Sequence, residues 1–117
     1  MEAIAFAIPL LPGKTEADRA AMASCWHGER KAAFEDARRR AGITREAVFI
    51  QSTPSGDVAV VYLEGDDLAN AMKIVATSDE PFDRWFRDQV RDAHGISLED
   101  GFPPPETALD FRAEIPG

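Results

Sequence analysis

Arg30 is the residue in this 117-residue sequence whose position points most directly to chemistry. Apolar residues recur along one helical stripe, and Arg30 lies on that stripe between Trp26 and Ala33. A guanidinium that faces a core needs an acceptor, and its planar fork suits a carboxylate or an enolate oxygen. Arg30 is therefore a candidate anion stabiliser. The alternative is structural: an ion pair with Glu64 or another acid, or a side chain that reaches solvent.

The two histidines, His27 and His94, are the candidate general bases, because imidazole titrates near neutral pH. His27 follows Trp26 directly and forms the predicted catalytic set with Arg30. His94 is a candidate ligand-binding residue, although it precedes Gly95, where an imidazole also satisfies carbonyls at a helix end. No His-x-x-x-His or Glu-x-x-His spacing occurs, so no metal site is predicted.

Two tryptophans and two polar strand residues complete the candidate binding set. Trp26 and Trp85 are suited to line a pocket for a flat organic molecule, although core packing also explains aromatic residues at helical spacing. Gln51 and Tyr62 carry an amide and a phenol that need partners when buried. A ligand, a cross-strand neighbour or a second copy of the chain would each supply them.

Composition narrows the classes of function. Thirteen Lys and Arg against 21 Asp and Glu give a formal charge of −8, which opposes binding to nucleic acid and to anionic membranes. The basic cluster at 38–40 is interpreted as a solvated helix end. Cys25 is the only cysteine and is interpreted as a packing residue in a protein of the reducing cytoplasm. We expect no cofactor, signal peptide or membrane helix.

The elements that would position these residues follow the order β-α-β-β-α-β. A first strand precedes Pro12, a helix starts at Thr15 with Gly28 as a kink site, and a hairpin joins strands 46–53 and 58–64. A second helix, restarted at Pro81, leads to a Pro-rich connector at 101–106 and a last strand at 107–112. The prediction is one α+β domain over 1–117: a ferredoxin-like, four-stranded antiparallel sheet with two helices on one face.

Both faces of the predicted strands are apolar, which an ordinary half-exposed antiparallel sheet does not show. In the strand at 58–64, Val60 and Tyr62 point to one face, and Val61 and Leu63 point to the other. Helices cover only one face, and the other would form an apolar patch too large for most monomers. The sequence therefore predicts a homodimer formed through the sheet.

Four segments resemble an uncharacterised bacterial family of the dimeric α/β-barrel superfamily. They are IPLLPGKT at 8–15, GITREAVF at 42–49, VYLEGDD at 61–67 and PFDRWF at 81–86, and the resemblance extends over nearly the whole chain. It implies two ferredoxin-like subunits packed sheet against sheet. The superfamily includes cofactor-free monooxygenases, mutarotases and lactone isomerases, but none of their catalytic motifs transfers to this chain.

The functional prediction is a small organic or anionic ligand bound in a cleft between the helices and the sheet. Two alternatives remain open from the sequence. One is a non-catalytic interaction module, and the other is a cofactor-independent isomerase or monooxygenase.

Overall fold

The described part of the chain folds as three strands and four α-helices in an α+β arrangement. The computed structural model describes residues 1–101 and 103–114, and the statements below concern these ranges. The elements are β1 (Glu2–Pro9), α1 (Thr15–His27), α2 (Lys31–Ala41), β2 (Ile43–Thr53), β3 (Gly56–Gly65), α3 (Leu68–Thr77) and α4 (Pro81–His94), followed by a short 3-10 turn, Leu98–Asp100.

β3 is the central strand of the sheet and pairs antiparallel with β1 on one side and with β2 on the other. β2 and β3 are the two strands of the hairpin that the sequence predicts. Their turn passes through Gly56, whose φ of 120° disfavours any side chain. The Thr53 hydroxyl donates to the Gly56 carbonyl oxygen at 2.6 Å and closes this turn. The turn thereby fixes the register of the hairpin.

Three successive rows of paired residues form the face of the sheet that packs on the helices. Taken across β1, β3 and β2, the first row is Ile4, Leu63 and Glu46, the second is Phe6, Val61 and Val48, and the third is Ile8, Ala59 and Ile50. Leu63 and Ala59 are 3% and 2% exposed, so β3 carries the centre of the core. On the opposite face no described helix covers the row Ala7, Val60 and Phe49, and Phe49 is 60% exposed.

The single long helix expected after Thr15 is two helices, α1 and α2. Gly28 approaches the preceding turn so closely that a Cβ there would lie 2.7 Å from the Cα of Ser24. The backbone N–H of Arg30 donates to the Ser24 carbonyl oxygen at 2.9 Å, which is not an α-helical bond. The break changes the angular phase between the two helices. An apolar stripe counted through Gly28 at constant angular spacing therefore combines two helices that differ in phase.

α3 and α4 are likewise separate helices with their own start signals. The Asp67 carboxylate accepts from the Asn70 N–H at 3.1 Å and caps α3. Pro81 occupies the first turn of α4, where its missing N–H costs nothing, and Gly95 ends α4 with φ 72°. No helix among the described residues is long and apolar enough to cross a bilayer.

The predicted four-stranded, ferredoxin-like sheet with two helices is wrong, because residues 1–101 and 103–114 form a sheet of three strands. Residues 107–112, expected as the last strand, are described and form neither strand nor helix. Leu109 and Phe111 there are 86% and 80% exposed. The preceding prolines at 103–105 lack backbone donors, and they favour an extended chain without ladder hydrogen bonds. Residue 102 of the predicted connector lies outside the described residues.

Candidate ligand-binding cavity

A cavity of about 70 Å³ lies between the helices and the inward face of the sheet. All three inward rows contribute to its wall, and most of the lining side chains are apolar. Four ionisable residues also line it: Asp18 from α1, Arg38 from α2, Glu46 from β2 and His94 from α4. These four residues carry the chemistry of the site.

Arg38 and Glu46 form a buried ion pair in the wall of the cavity. Their side chains are 7% and 8% exposed, and Arg38 Nε donates to Glu46 Oε1 at 2.6 Å. The guanidinium carbon lies 4.8 Å from the ring centre of Phe34 and 4.5 Å from that of Phe86. Two aromatic faces and one carboxylate therefore hold the guanidinium plane in one orientation.

One nitrogen of this guanidinium, Arg38 Nη1, is buried and has no hydrogen-bond partner among the described residues. The amide nitrogen of Gln89 is the other buried side-chain atom with this property, but Gln89 does not line the cavity. A buried donor without a partner costs about 1–3 kcal/mol. Arg38, a residue of the cavity wall, therefore carries a guanidinium whose hydrogen-bonding capacity is not fully used.

The position of Arg38 follows from the phase of α2. Ala37, Arg38 and Ala41 are its buried residues, so the helix turns Arg38 towards the sheet. Arg40 points elsewhere, and it pairs with Asp36 at 3.0 Å and with buried Asp83 at 3.1 Å. The interpretation of 38–40 as a solvated helix end is wrong for Arg38. Glu46 was the sequence signal for a buried cation. It alternates with Val48 and Ile50 on one face of β2, so its carboxylate needs a compensating charge there.

His94 lines the cavity and has a defined tautomer. Its Nδ1 lies 2.9 Å from the Pro9 carbonyl oxygen. Because a carbonyl oxygen only accepts, Nδ1 carries the proton and the neutral ring leaves Nε2 as the acceptor. His94 is thus held by the end of β1, with one nitrogen available to act as a base.

Asp18 is 3% exposed, and no described cation lies within ion-pair distance of its carboxylate. The first turn of α1 has no side-chain cap, and the Thr15 hydroxyl donates to Asp57 at 2.7 Å. Asp18 stands one turn further into the helix and faces the core. Sequence reasoning missed this buried carboxylate because the N-terminal turn of a helix commonly carries acids.

The predicted catalytic pair lies outside the cavity wall. Trp26 is 77% exposed, and its ring centre is 5.3 Å from that of His27, which is also exposed. Arg30 is not on the sheet-facing side. Its guanidinium stacks 4.1 Å above the ring centre of Trp85 and donates to Ser24 Oγ at 3.1 Å. The break explains the position of Arg30, because Arg30 follows the end of α1 and precedes the first residue of α2.

Gln51 and Tyr62 lie on the opposite face of the sheet from the cavity. The Tyr62 hydroxyl donates to Glu64 Oε2 at 2.6 Å, and this carboxylate raises the pKa of the phenol. Gln51 is exposed on β2 beside Val58. Of the seven predicted site residues, His94 alone contributes to the cavity wall.

Cys25 is 4% exposed, and burial raises the pKa of its thiol. The neighbouring Ser24 hydroxyl and the Arg38 charge act in the opposite direction but are weaker. A buried thiol with a raised pKa is a poor nucleophile. Across 1–101 and 103–114 no group of three or more His, Cys, Asp or Glu side chains is placed to hold a metal ion.

Comparison with protein-family models and with curated proteins yields no match to this chain. The candidate site therefore depends on its geometry alone.

Proposed function

We propose that this protein binds a small organic molecule in the cavity between helices and sheet, with an oxygen of the ligand beside the Arg38 guanidinium. The observation that supports this is the buried donor without a partner in the wall of a mostly apolar cavity. Ligand sites commonly combine an apolar lining with a few fixed polar groups. The ion pair with Glu46 and the two phenyl rings hold this donor in place before a ligand arrives.

A fragment screen by protein NMR tests this proposal. We expect fragments with a carbonyl or carboxylate oxygen to shift resonances of the cavity wall. The double variant Arg38→Met, Glu46→Leu removes both charges together and keeps the volume, which avoids leaving one charge buried alone. Arg30→Met is the matched control, because Arg30 also stacks on an aromatic ring but lies outside the cavity.

Loss of binding in the double variant, with binding kept in Arg30→Met, is the expected result. Fragments that bind equally to the wild type and the double variant would contradict the role of Arg38. The absence of any fragment bound in the cavity would overturn the proposed function and would favour a non-catalytic interaction module.

A second function, cofactor-independent proton transfer as in an isomerase, is favoured by the tautomer of His94. With Nδ1 bonded to the Pro9 carbonyl oxygen, Nε2 is the nitrogen that can take an α-proton from a carbonyl compound in the cavity. The test is exchange of α-protons of cavity-binding ketones in D₂O. Exchange that is faster with wild type than with His94→Gln supports this function, and equal rates in the two proteins would exclude it.

We also propose that two copies associate through the face of the sheet that no described helix covers, in a protein of the cytoplasm that belongs to the bacterial family its sequence resembles. The support is the apolar row Ala7, Val60 and Phe49, whose exposure costs about 25 cal/mol for each Å² of apolar surface. We expect sedimentation at low micromolar concentration to give a dimer. Val60→Asp should give a monomer, and Ala33→Asp, on an exposed helix position, should not. A monomeric wild type would contradict this assembly.

A further inference from the structure

The open face of the sheet, the one that no described helix covers, carries no net charge. Taken across β1, β3 and β2, its four rows are Ala3, Glu64 and Arg45; Ala5, Tyr62 and Ala47; Ala7, Val60 and Phe49; and Pro9, Val58 and Gln51. Arg45 and Glu64 are the charged residues of these rows, and Arg45 Nη1 lies 3.7 Å from Glu64 Oε2. The whole chain has a formal charge of −8. Repulsion between two copies is therefore weakest where two open faces meet.

Side-chain size increases across the open face from β1 to β2. β1 contributes Ala3, Ala5 and Ala7, all of which are exposed, and β2 contributes Phe49, which is 60% exposed. Ala7 and Phe49 share a row, but β3 lies between them, so their backbones are roughly 10 Å apart. The open face therefore has a trough along the three alanines and a ridge at Phe49.

The described chain leaves the trough unfilled. A groove of about 750 Å³ separates Ala3 and Ala5 from the segment 105–112. Leu109 in that segment is 86% exposed, so its side chain does not pack down onto the alanines. The space above β1 is thus open to side chains of a second chain.

Two-fold symmetry limits what can enter the trough. Most homodimers have a two-fold axis and present the same patch from both copies. For two stacked faces, an axis parallel to β3 places β2 of one copy over β1 of the other, and Phe49 then faces Ala7 of the second copy. An axis perpendicular to β3 places β1 over β1 and would leave two troughs facing each other. Because protein interfaces pack with few voids, the parallel axis fits this face better.

We infer, on the basis of the proposed association, that a second copy of this chain covers the open face about a two-fold axis parallel to β3. Phe49 of each copy packs into the alanine trough of the other. The contact occurs twice in the dimer, and it makes the face complementary to itself in shape as well as in charge.

Two complementary substitutions test this inference. Phe49→Ala removes the ridge, and Ala7→Phe fills the trough. Each homodimer then carries its defect twice, as two voids or as two overfilled contacts. In a heterodimer of the two variants, both contacts again pair one phenyl ring with one alanine. The two variants should therefore prefer each other to themselves.

Native mass spectrometry of a one-to-one mixture measures this preference, and sedimentation measures the affinity of each variant alone. We expect each variant to dissociate at least about tenfold more readily than the wild type. Heterodimers should outnumber either homodimer by at least about tenfold, whereas random pairing gives a factor of about two. Ala33→Phe adds the same ring at an exposed helix position and should leave the dissociation constant unchanged. Ala7→Leu, with a smaller side chain, replaces Ala7→Phe if that variant does not fold.

The outcomes separate this inference from the proposed association. If the wild type dimerises and Val60→Asp disrupts it, but the two variants pair at random, the inference is overturned and association through the sheet stands. A variant at either position that dimerises as tightly as the wild type has the same consequence. A monomeric wild type, or a dimer that Val60→Asp leaves intact, would overturn both.

Discussion

Removal of Arg38 alone should destabilise this protein far more than removal of the whole ion pair. In Arg38→Met the Glu46 carboxylate, with 8% of its side chain exposed, loses the partner that lies 2.6 Å away. An uncompensated buried charge costs about 3–5 kcal/mol. Against a total stability of about 5–15 kcal/mol for a domain, this is a large fraction.

The double variant Arg38→Met, Glu46→Leu should recover most of that loss. It removes both desolvated charges and also the unpartnered donor Nη1, so its stability should lie near that of the wild type or above it. Urea unfolding at one fixed protein concentration measures the difference, provided that the m-value is unchanged. Lys31→Met is the control. The charged ends of Lys31 and Glu35 are 3.6 Å apart, and both side chains are more than half exposed. Lys31→Met should therefore change the free energy of unfolding by less than about 0.5 kcal/mol.

Two results would refute this reasoning. One is a cost of Arg38→Met as small as that of Lys31→Met, which would mean that the Glu46 carboxylate reaches water. The other is a double variant less stable than the single one, which would mean that the pair holds the helices and sheet together by more than mutual compensation.

Two further changes test the packing around the site. Gly65→Ala should cost about 1–3 kcal/mol in urea unfolding, because its Cβ would lie 2.7 Å from the carbonyl oxygen of Gly42. Asp66→Ala, at the exposed neighbouring position, should change stability by less than about 0.5 kcal/mol. Equal effects of the two substitutions would show that Gly65 and Gly42 are not in close contact. Cys25 should react with iodoacetamide much more slowly in the folded protein than in urea at pH 7, because burial raises the pKa of the thiol and reduces its thiolate fraction. Similar rates in both conditions would place the thiol at the surface.

The hairpin was predictable from the sequence because local chemistry alone determines it. Alternating β-branched residues flank a turn with Pro54 and Gly56, and the strands predicted at 46–53 and 58–64 correspond to β2 and β3. The start of α4 at Pro81 and its end at Gly95 were predictable for the same reason. These elements need no information from distant parts of the chain.

The candidate site was not predictable in the same way, because it depends on the relative phase of two helices. Counting one stripe through Gly28 put Arg30 on the core side. The charge of the cluster at 38–40 assigned Arg38 to solvent, whereas the buried face of α2 carries Arg38. Burial of a charged residue also contradicts the composition rule used to read helices. Only Glu46, on the inward face of β2, indicated that a cation had to face the core. The strand predicted at 107–112 failed for a different reason. Apolar residues alternate there, but no described strand pairs with them.

A crystal structure of the protein soaked with a carbonyl-bearing fragment that binds in the NMR screen tests the central claim most directly. We predict a ligand in the cavity with an oxygen within hydrogen-bond distance of the Arg38 guanidinium, about 2.7–3.2 Å, and with the Arg38–Glu46 pair intact. A structure in which Nη1 is bonded to a protein group, and in which the side chains between the helices and the sheet close the cavity, would contradict it.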